Sequence, residues 1–147
     1  NMTDDMIRAL AEKGGVIQIN FYPVFLDPSF AGKMSEIAEK GERIEAEFIA
    51  DPADPFKRAA WNKIQDELQA LERPSYRLIA DHIDHVVALV GIDHVGIGSD
   101  FDGIEVTPDG LEDISMMPKL FDELRARGYS EADIEKIAGG NFFRILG

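Results

Sequence analysis

Cysteine is absent from the sequence, so the chain can form neither a disulfide framework nor a cysteine-ligated zinc site. Any metal ion would therefore be held by histidine and carboxylate side chains. No apolar run approaches the roughly 18 residues of a membrane span, so we expect none. The lack of cysteine permits a cytoplasmic setting, which is the localisation we expect.

Positive charge is scarce relative to negative charge. The chain has 15 Lys and Arg residues against 28 Asp and Glu residues, a formal net charge of -13 at pH 7. Such a surface repels nucleic-acid backbones and anionic lipids, so we expect no nucleic-acid partner. With 45% hydrophobic and 29% charged residues, the composition is typical of a globular protein with a sizeable core.

Helices and strands alternate along the sequence. Periodicity, N-caps and breakers predict, in order, helix 4–13 between Thr3 and Gly14, strand 16–22, helix 34–50 interrupted at Gly41, helix 54–72 capped by Asp54, helix 75–91, strand 94–100, and helices that begin at Pro118 and Ser130. The Gly14–Gly15 and Gly139–Gly140 pairs lack the spacing of a phosphate loop and are interpreted as helix stops.

The alternation is typical of parallel βα units. Two strands cannot form a stable parallel sheet, because such a sheet needs more strands and helices on both faces. A complete (β/α)8 barrel takes about 250 residues. We therefore predict an α/β fold in which residues 1–147 are the C-terminal βα units of a (β/α)8 TIM barrel, incomplete as given, with a helical insertion at about 34–72.

Alternation along the strands predicts which side chains reach the mouth of such a barrel. In the second strand, Asp100 lies on the face of small residues, and in the first strand Asn20 and Tyr22 lie on the mixed face. Barrel enzymes carry out their chemistry at the C-terminal strand ends. Asp100 is therefore the candidate catalytic carboxylate, and the alternative is that "DFDG" is only a turn.

The histidines offer a second candidate site. His82 and His85 of "DHIDH" share a helix face, as some metal ligands do, but the segment equally fits structural caps and surface pairs, which we favour. His94 begins the second strand, at the N-terminal strand ends of a barrel, where residues contribute to stability rather than catalysis. It is therefore also interpreted as structural. The acidic insertion could cover the barrel mouth or a partner, although a solvated outer layer is the simpler interpretation.

Several segments together resemble the C-terminal portion of the renal (membrane) dipeptidase family of zinc-dependent barrels. They cover nearly the whole chain outside about residues 27–74, and "GSDFDG" with a downstream "GLEDIS" is the most specific of them. The segments are "NMTDDMIRAL", "GGVIQINFYP", "ADHIDHVVALVGIDHVGIGSDFDGI", "GLEDIS" and "LRARGYSEADIEKIAGGNFFRIL".

The resemblance implies a two-zinc (Zn2+) enzyme that hydrolyses dipeptides, including those with a D-residue at the C-terminal position. It implies that Asp100 accepts a proton from the metal-bound water, and that no metal ligand lies in this chain, because the family's ligands precede the position of Asn1. A tyrosine that contacts substrate in the family aligns with Phe25, where this chain departs from the family's pattern. With Asn20 and Tyr22 from the strand alternation, Phe25 completes the residues expected to bind substrate.

The partners that the resemblance implies are a dipeptide substrate and the N-terminal segment of the same barrel, and a homodimer is an open alternative. Two other functions stay open. One is another metal-dependent barrel hydrolase, acting on an ester, a lactone or a nucleic acid. The other is a non-catalytic barrel scaffold, because a fold does not by itself imply a function.

Overall fold

The computed structural model describes residues 1–147 as helices that surround one short parallel sheet. The elements are α1 (Asp4–Glu12), β1 (Ile17–Asn20), α2 (Pro23–Leu26), α3 (Pro28–Ala50), α4 (Pro55–Gln69), α5 (Arg77–Val90), β2 (Val95–Ser99), α6 (Met117–Ala126), α7 (Glu131–Glu135) and α8 (Asn141–Leu146). Short 3-10 turns at Ile92–His94 and Ile114–Met116 and a π turn at Lys136–Gly140 connect some of them.

The sheet consists of β1 and β2, paired in parallel. Ile17 lies opposite Val95 and Ile19 opposite Ile97, but Asn20 lies opposite Ser99, so the register shifts by one residue at Gly98. A bulge of this kind places two residues of one strand against one of the other. The side-chain alternation predicted for 94–100 therefore holds only as far as Ile97.

The hydrophobic core lies between the sheet and the helices α1, α5, α6 and α7. Its members are almost all apolar, and many are completely buried: Phe21, Ile79, Ile83, Val95, Leu111, Leu120, Leu124 and Ile137. Ile19 and Val95 come from the face that the alternation assigned to the covering helices. The mixed face of β1, which carries Gln18 and Asn20, is only partly buried.

The predicted helix caps are confirmed. The side chain of Thr3 accepts from the backbone N–H of Met6, Asp54 accepts from Phe56 and Lys57, and Ser130 and Asp133 form a reciprocal capping box. Gly14 and Gly91 end their helices with φ values of 75° and 92°, a region that favours glycine.

Two predicted boundaries are wrong, and the helix stop at Gly139–Gly140 is confirmed. Helix α3 begins at Pro28 rather than 34. It is also continuous through Gly41, because Gly41 is buried against Ile64 and that packing offsets the low helix propensity of glycine. Gly139–Gly140 does stop the helix that begins after Ser130, because Gly139 has non-helical backbone angles (φ 173°, ψ -19°) and α8 follows as a separate helix. The first strand ends at Asn20, and Pro23 begins the short helix α2 instead.

Helices α3 and α4 pack against each other and form a unit that we call the α3–α4 pair. Phe48 and Trp61 stack across it, with ring centroids 6.1 Å apart and planes 8° from parallel. Its main contact with the other elements is between α3 and α2, next to the end of β1. The insertion predicted at 34–72 therefore lies near the carboxyl ends of the strands. None of the helices combines the length and apolar composition that crossing a bilayer requires.

Candidate active site

The carboxyl ends of β1 and β2 bring Asn20 and Asp100 together. The Asn20 side-chain amide Nδ2 donates a hydrogen bond of 2.8 Å to Asp100 Oδ2, across 80 residues of sequence. Asn20 is itself fixed, because its Oδ1 accepts a 2.7 Å hydrogen bond from the backbone N–H of Tyr22. The other carboxylate oxygen, Asp100 Oδ1, accepts no hydrogen bond from the protein, and Asp100 is exposed.

The backbone at this strand end adopts an uncommon conformation. Ser99 and Asp100 have φ values of 51° and 91°, and they are the only residues other than glycine with positive φ. Such values are unfavourable for residues with a side chain and occur preferentially at functional sites. The turn closes with a 3.0 Å hydrogen bond from Gly103 N–H to Asp100 O. A Cβ atom on Gly103 would collide with Asp100 Oδ1, so glycine leaves room for the carboxylate.

The turn interpretation of "DFDG" is confirmed, whereas the catalytic role of Asp100 stays a prediction. The segment is a turn, as its Asp-Gly pair predicted, and it also presents the Asp100 carboxylate at the strand end. Asp102 is exposed, and its side chain makes no hydrogen bond within the protein.

Tyr22 and Phe25 border the same strand end. Their rings pack edge to face with centroids 5.3 Å apart, and Phe25 is 46% exposed. The Tyr22 hydroxyl donates a long hydrogen bond of 3.5 Å to Glu105 Oε2. Partial burial and the negative charge of Glu105 raise the pKa of Tyr22, so the phenol stays protonated and available as a donor.

The three histidines each make a separate hydrogen bond. His82 Nε2 lies 3.1 Å from Leu26 O, His85 Nε2 lies 2.8 Å from Asp4 Oδ1, and His94 Nδ1 lies 2.8 Å from Gly15 O. These contacts join α5 to α2 and α1, and the start of β2 to the turn before β1. They support the structural interpretation of the histidines.

The donor set of this chain does not fit a metal ion by itself. No group of three or more His, Cys, Asp or Glu side chains converges anywhere in residues 1–147. Asp100 is a lone carboxylate at the strand end, with an amide as its neighbour. The chemistry that the chain itself offers is an exposed, oriented carboxylate beside two aromatic rings.

Sequence reasoning missed two features of this region. Glu105 was not singled out, although it is the nearest carboxylate along the chain after "DFDG" and contacts the Tyr22 hydroxyl. The left-handed backbone of Ser99 and Asp100 also went unpredicted, because nothing in "GIGSD" separates a straight strand from a bulged one.

The family comparison is decisive. The model of the membrane dipeptidase family (peptidase family M19) matches residues 1–147. The chain belongs to this family. Dipeptidase aclJ of Aspergillus oryzae is 33% identical over 147 residues, which are 100% of this chain and 25% of that protein.

Solved structures of M19 proteins share the fold. The probable dipeptidase PvdM from Pseudomonas aeruginosa matches 98% of this chain with a TM-score of 0.70 and 30% identity, over 39% of its own chain. A metallo peptidase from Rhodobacter sphaeroides, liganded with a phosphinate mimic of the dipeptide L-Ala-D-Ala, matches 99% with a TM-score of 0.66 and 25% identity, over 30% of its own chain.

The resemblance and the fold class predicted from the sequence are thus confirmed. M19 dipeptidase structures have a TIM barrel, and the helices and strands of this chain match a portion of it. The chain spans 25% of the length of aclJ and 39% of that of PvdM.

Proposed function

We propose that the complete barrel to which these residues contribute hydrolyses dipeptides with the help of zinc, including dipeptides with a D-residue at the C-terminal position. The observation that carries this proposal is the hydrogen bond between Asn20 and Asp100, which orients one carboxylate at the mouth end of two parallel strands. The M19 membership supports the reaction class. The D-residue rests on the Rhodobacter sphaeroides protein, whose ligand mimics L-Ala-D-Ala.

Asp100 is the general base of the proposed reaction. Its Oδ1 is free to accept the proton of a water molecule as that water attacks the amide carbonyl, and it can then deliver the proton to the leaving amine. Asn20 positions this base, because its amide holds Oδ2 and leaves Oδ1 without a hydrogen-bond partner in the protein. Tyr22 and Phe25 flank the position of the substrate, where an aromatic surface excludes water and a phenol can donate a hydrogen bond.

Zinc enters the proposal only as a component of the complete barrel. When bound near a water molecule, it lowers the pKa of that water and makes it a better nucleophile. The donor set of residues 1–147 does not hold a metal ion alone, so we assign no zinc ligand among them.

A substrate panel tests the proposal. The complete barrel is assayed with dipeptides that end in D- and L-residues, with an alkyl ester and with a lactone. We expect hydrolysis of both kinds of dipeptide, loss of that activity on dialysis against a chelator, and its return on adding zinc. Hydrolysis of the ester or lactone without any dipeptide would overturn the proposal, and so would full dipeptidase activity after the metal is removed.

A further inference from the structure

A cleft of about 850 Å³ is lined mostly by α3 and α4, together with Tyr22 after β1 and Glu105 and Val106 after β2. Its apolar lining includes the buried Ile37 and Ile64, together with Met34, Leu68 and Val106. Tyr22 and Glu105, the hydrogen-bonded pair beside Asp100, form part of its wall. Asn20 and Asp100 do not line the cleft, but Tyr22 connects it to them, because the Tyr22 backbone N–H donates to Asn20 Oδ1. The volume lies within the range of small-molecule sites, about 300–1,000 Å³.

The charged side chains that line this cleft are all negative. Glu39, Glu42 and Glu45 come from α3, and Glu105 comes from the loop after β2. No lysine or arginine lines the cleft, and none of these four carboxylates forms an ion pair elsewhere in the chain. An anionic occupant would be repelled, whereas a cation would find unpaired partners over an apolar floor.

Trp61 adds an aromatic surface to the same cleft. The ring stacks on Phe48 and is only partly buried, so Phe48 holds its orientation while part of the indole is open to the cleft. An indole is the aromatic ring with the strongest attraction for a cation placed over its face.

We propose that this cleft receives a long basic side chain of the substrate, that of a lysine or an arginine residue of the dipeptide. Methylene groups of such a side chain pack on Ile37, Ile64 and Leu68, and the charged head group lies among the carboxylates. The α3–α4 pair is then the element that sets substrate specificity. This inference rests on the proposed function, because Tyr22 joins the cleft to the strand end where Asp100 acts as base.

Neutral and acidic side chains fit the cleft less well. A leucine side chain would pack on the apolar residues of the cleft but form no ion pair with the four carboxylates. A glutamate side chain would bring a like charge among them, which is unfavourable at short range. The order of preference expected from the lining is Lys or Arg, then Leu, then Glu.

The experiment compares kcat/KM for dipeptides that differ only in one side chain, Lys, Leu or Glu, placed in turn at each of the two positions. In the complete barrel we expect Lys to exceed Leu by about fivefold or more at one position, the size of one or two exposed ion pairs. Replacing Glu42 and Glu45 together by Gln should raise KM for the Lys substrate much more than KM for the Leu substrate, and so remove most of that preference. Glu36→Gln is the matched control, because Glu36 lies on α3, is exposed and does not line the cleft.

The outcomes separate the two claims. Hydrolysis of Leu dipeptides with no preference for Lys at either position overturns the cleft assignment and leaves the dipeptidase proposal standing. A preference for Lys that persists in Glu42→Gln/Glu45→Gln, or that falls equally in Glu36→Gln, also overturns the assignment. Hydrolysis of none of the dipeptides overturns both proposals.

Discussion

At the scale of single residues, the site depends on how the chain leaves β2. Gly98 lies at the bulge, and a Cβ atom there would come within 2.9 Å of Ile19 O, a backbone atom that cannot move aside easily. The two residues that follow have left-handed backbone, and the hydrogen bond from Asn20 then fixes the Asp100 carboxylate. The position of the proposed base therefore depends on a glycine with no chemical role.

Gly98→Ala tests this dependence. We expect the substitution to lower the free energy of unfolding of the complete barrel by about 1–3 kcal/mol, since the added methyl group pushes β2 away from β1. Gly32→Ala is the control, because Gly32 lies in α3 with nothing within 4 Å of the added atom. The control should gain about 0.5–1 kcal/mol from the better helix propensity of alanine. Denaturant unfolding measures the free energy of unfolding of both variants. An unchanged value for Gly98→Ala would show that the close approach of the added methyl group to Ile19 O does not destabilise the sheet.

The residue scale also shows what the sequence could and could not predict. The side-chain alternation along the strands placed Asn20 and Asp100 on the same face of the sheet, and the two side chains are hydrogen-bonded. An unbroken strand register would pair Asn20 with Gly98, whereas the structure pairs it with Ser99. Ser99 and Asp100 also have positive φ values, which the alternation does not predict. A bulge depends on which strands pair and in which register, and a single sequence does not specify that.

At the scale of helices and strands, prediction succeeded where the signal is local. The caps at Thr3, Asp54 and Ser130 involve residues no more than three positions apart, so the local sequence suffices. The prediction at Gly41 failed because helix continuity there depends on packing between helices. Ile64 covers Gly41 from another helix, and no local rule reports that contact.

Asn141 shows the same dependence on distant contacts. It is a buried side chain at the start of α8, and its Nδ2 donates to both Ile92 O and Val95 O. These bonds fasten α8 to the start of β2. The acceptors lie more than 40 residues away, so the sequence offered no signal for this role.

Arg127 links α5 with the end of α6. Its guanidinium donates to Asp81 and Asp84, each at 2.6 Å, and to Glu123 at 3.0 Å, while the Tyr129 hydroxyl donates to Asp84 at 2.6 Å. Partial burial and the hydrogen bond to Asp84 raise the pKa of Tyr129, which keeps that phenol a donor. The network holds two helices of the core together through one largely buried cation.

Arg127→Ala should therefore destabilise the complete barrel by about 2–4 kcal/mol, because it removes several charge-assisted bonds and leaves carboxylates close together without a counter-charge. Arg43→Ala is the control. Arg43 pairs with Glu47 on the surface of α3 with its side chain 84% exposed, so we expect a change within about 0.5 kcal/mol. Melting temperatures and denaturant midpoints of both variants provide the comparison. Equal effects of the two substitutions would show that the α5–α6 network contributes no more than a surface pair.

At the scale of the whole molecule, the fold was predicted from the number of strands. Two parallel strands flanked by helices match a portion of an M19 TIM barrel, as that number predicted. Tyr22, which follows β1, lines the acidic cleft and its backbone N–H donates to Asn20, so the fold brings the cleft close to the strand ends. The same topology therefore determines where the glutamates of the cleft and the Asn20–Asp100 pair lie in the fold.

The most direct test of the account is the turnover of Asp100→Asn in the complete barrel, measured beside Asp102→Asn on one dipeptide with a C-terminal D-residue. Asparagine preserves size but lacks the basic oxygen, so kcat should fall by about 10²- to 10⁴-fold with zinc content nearly unchanged. Asp102→Asn should retain most of the activity, because that side chain is exposed and makes no hydrogen bond within the protein. Near-normal turnover in Asp100→Asn, at full zinc content, would contradict the account.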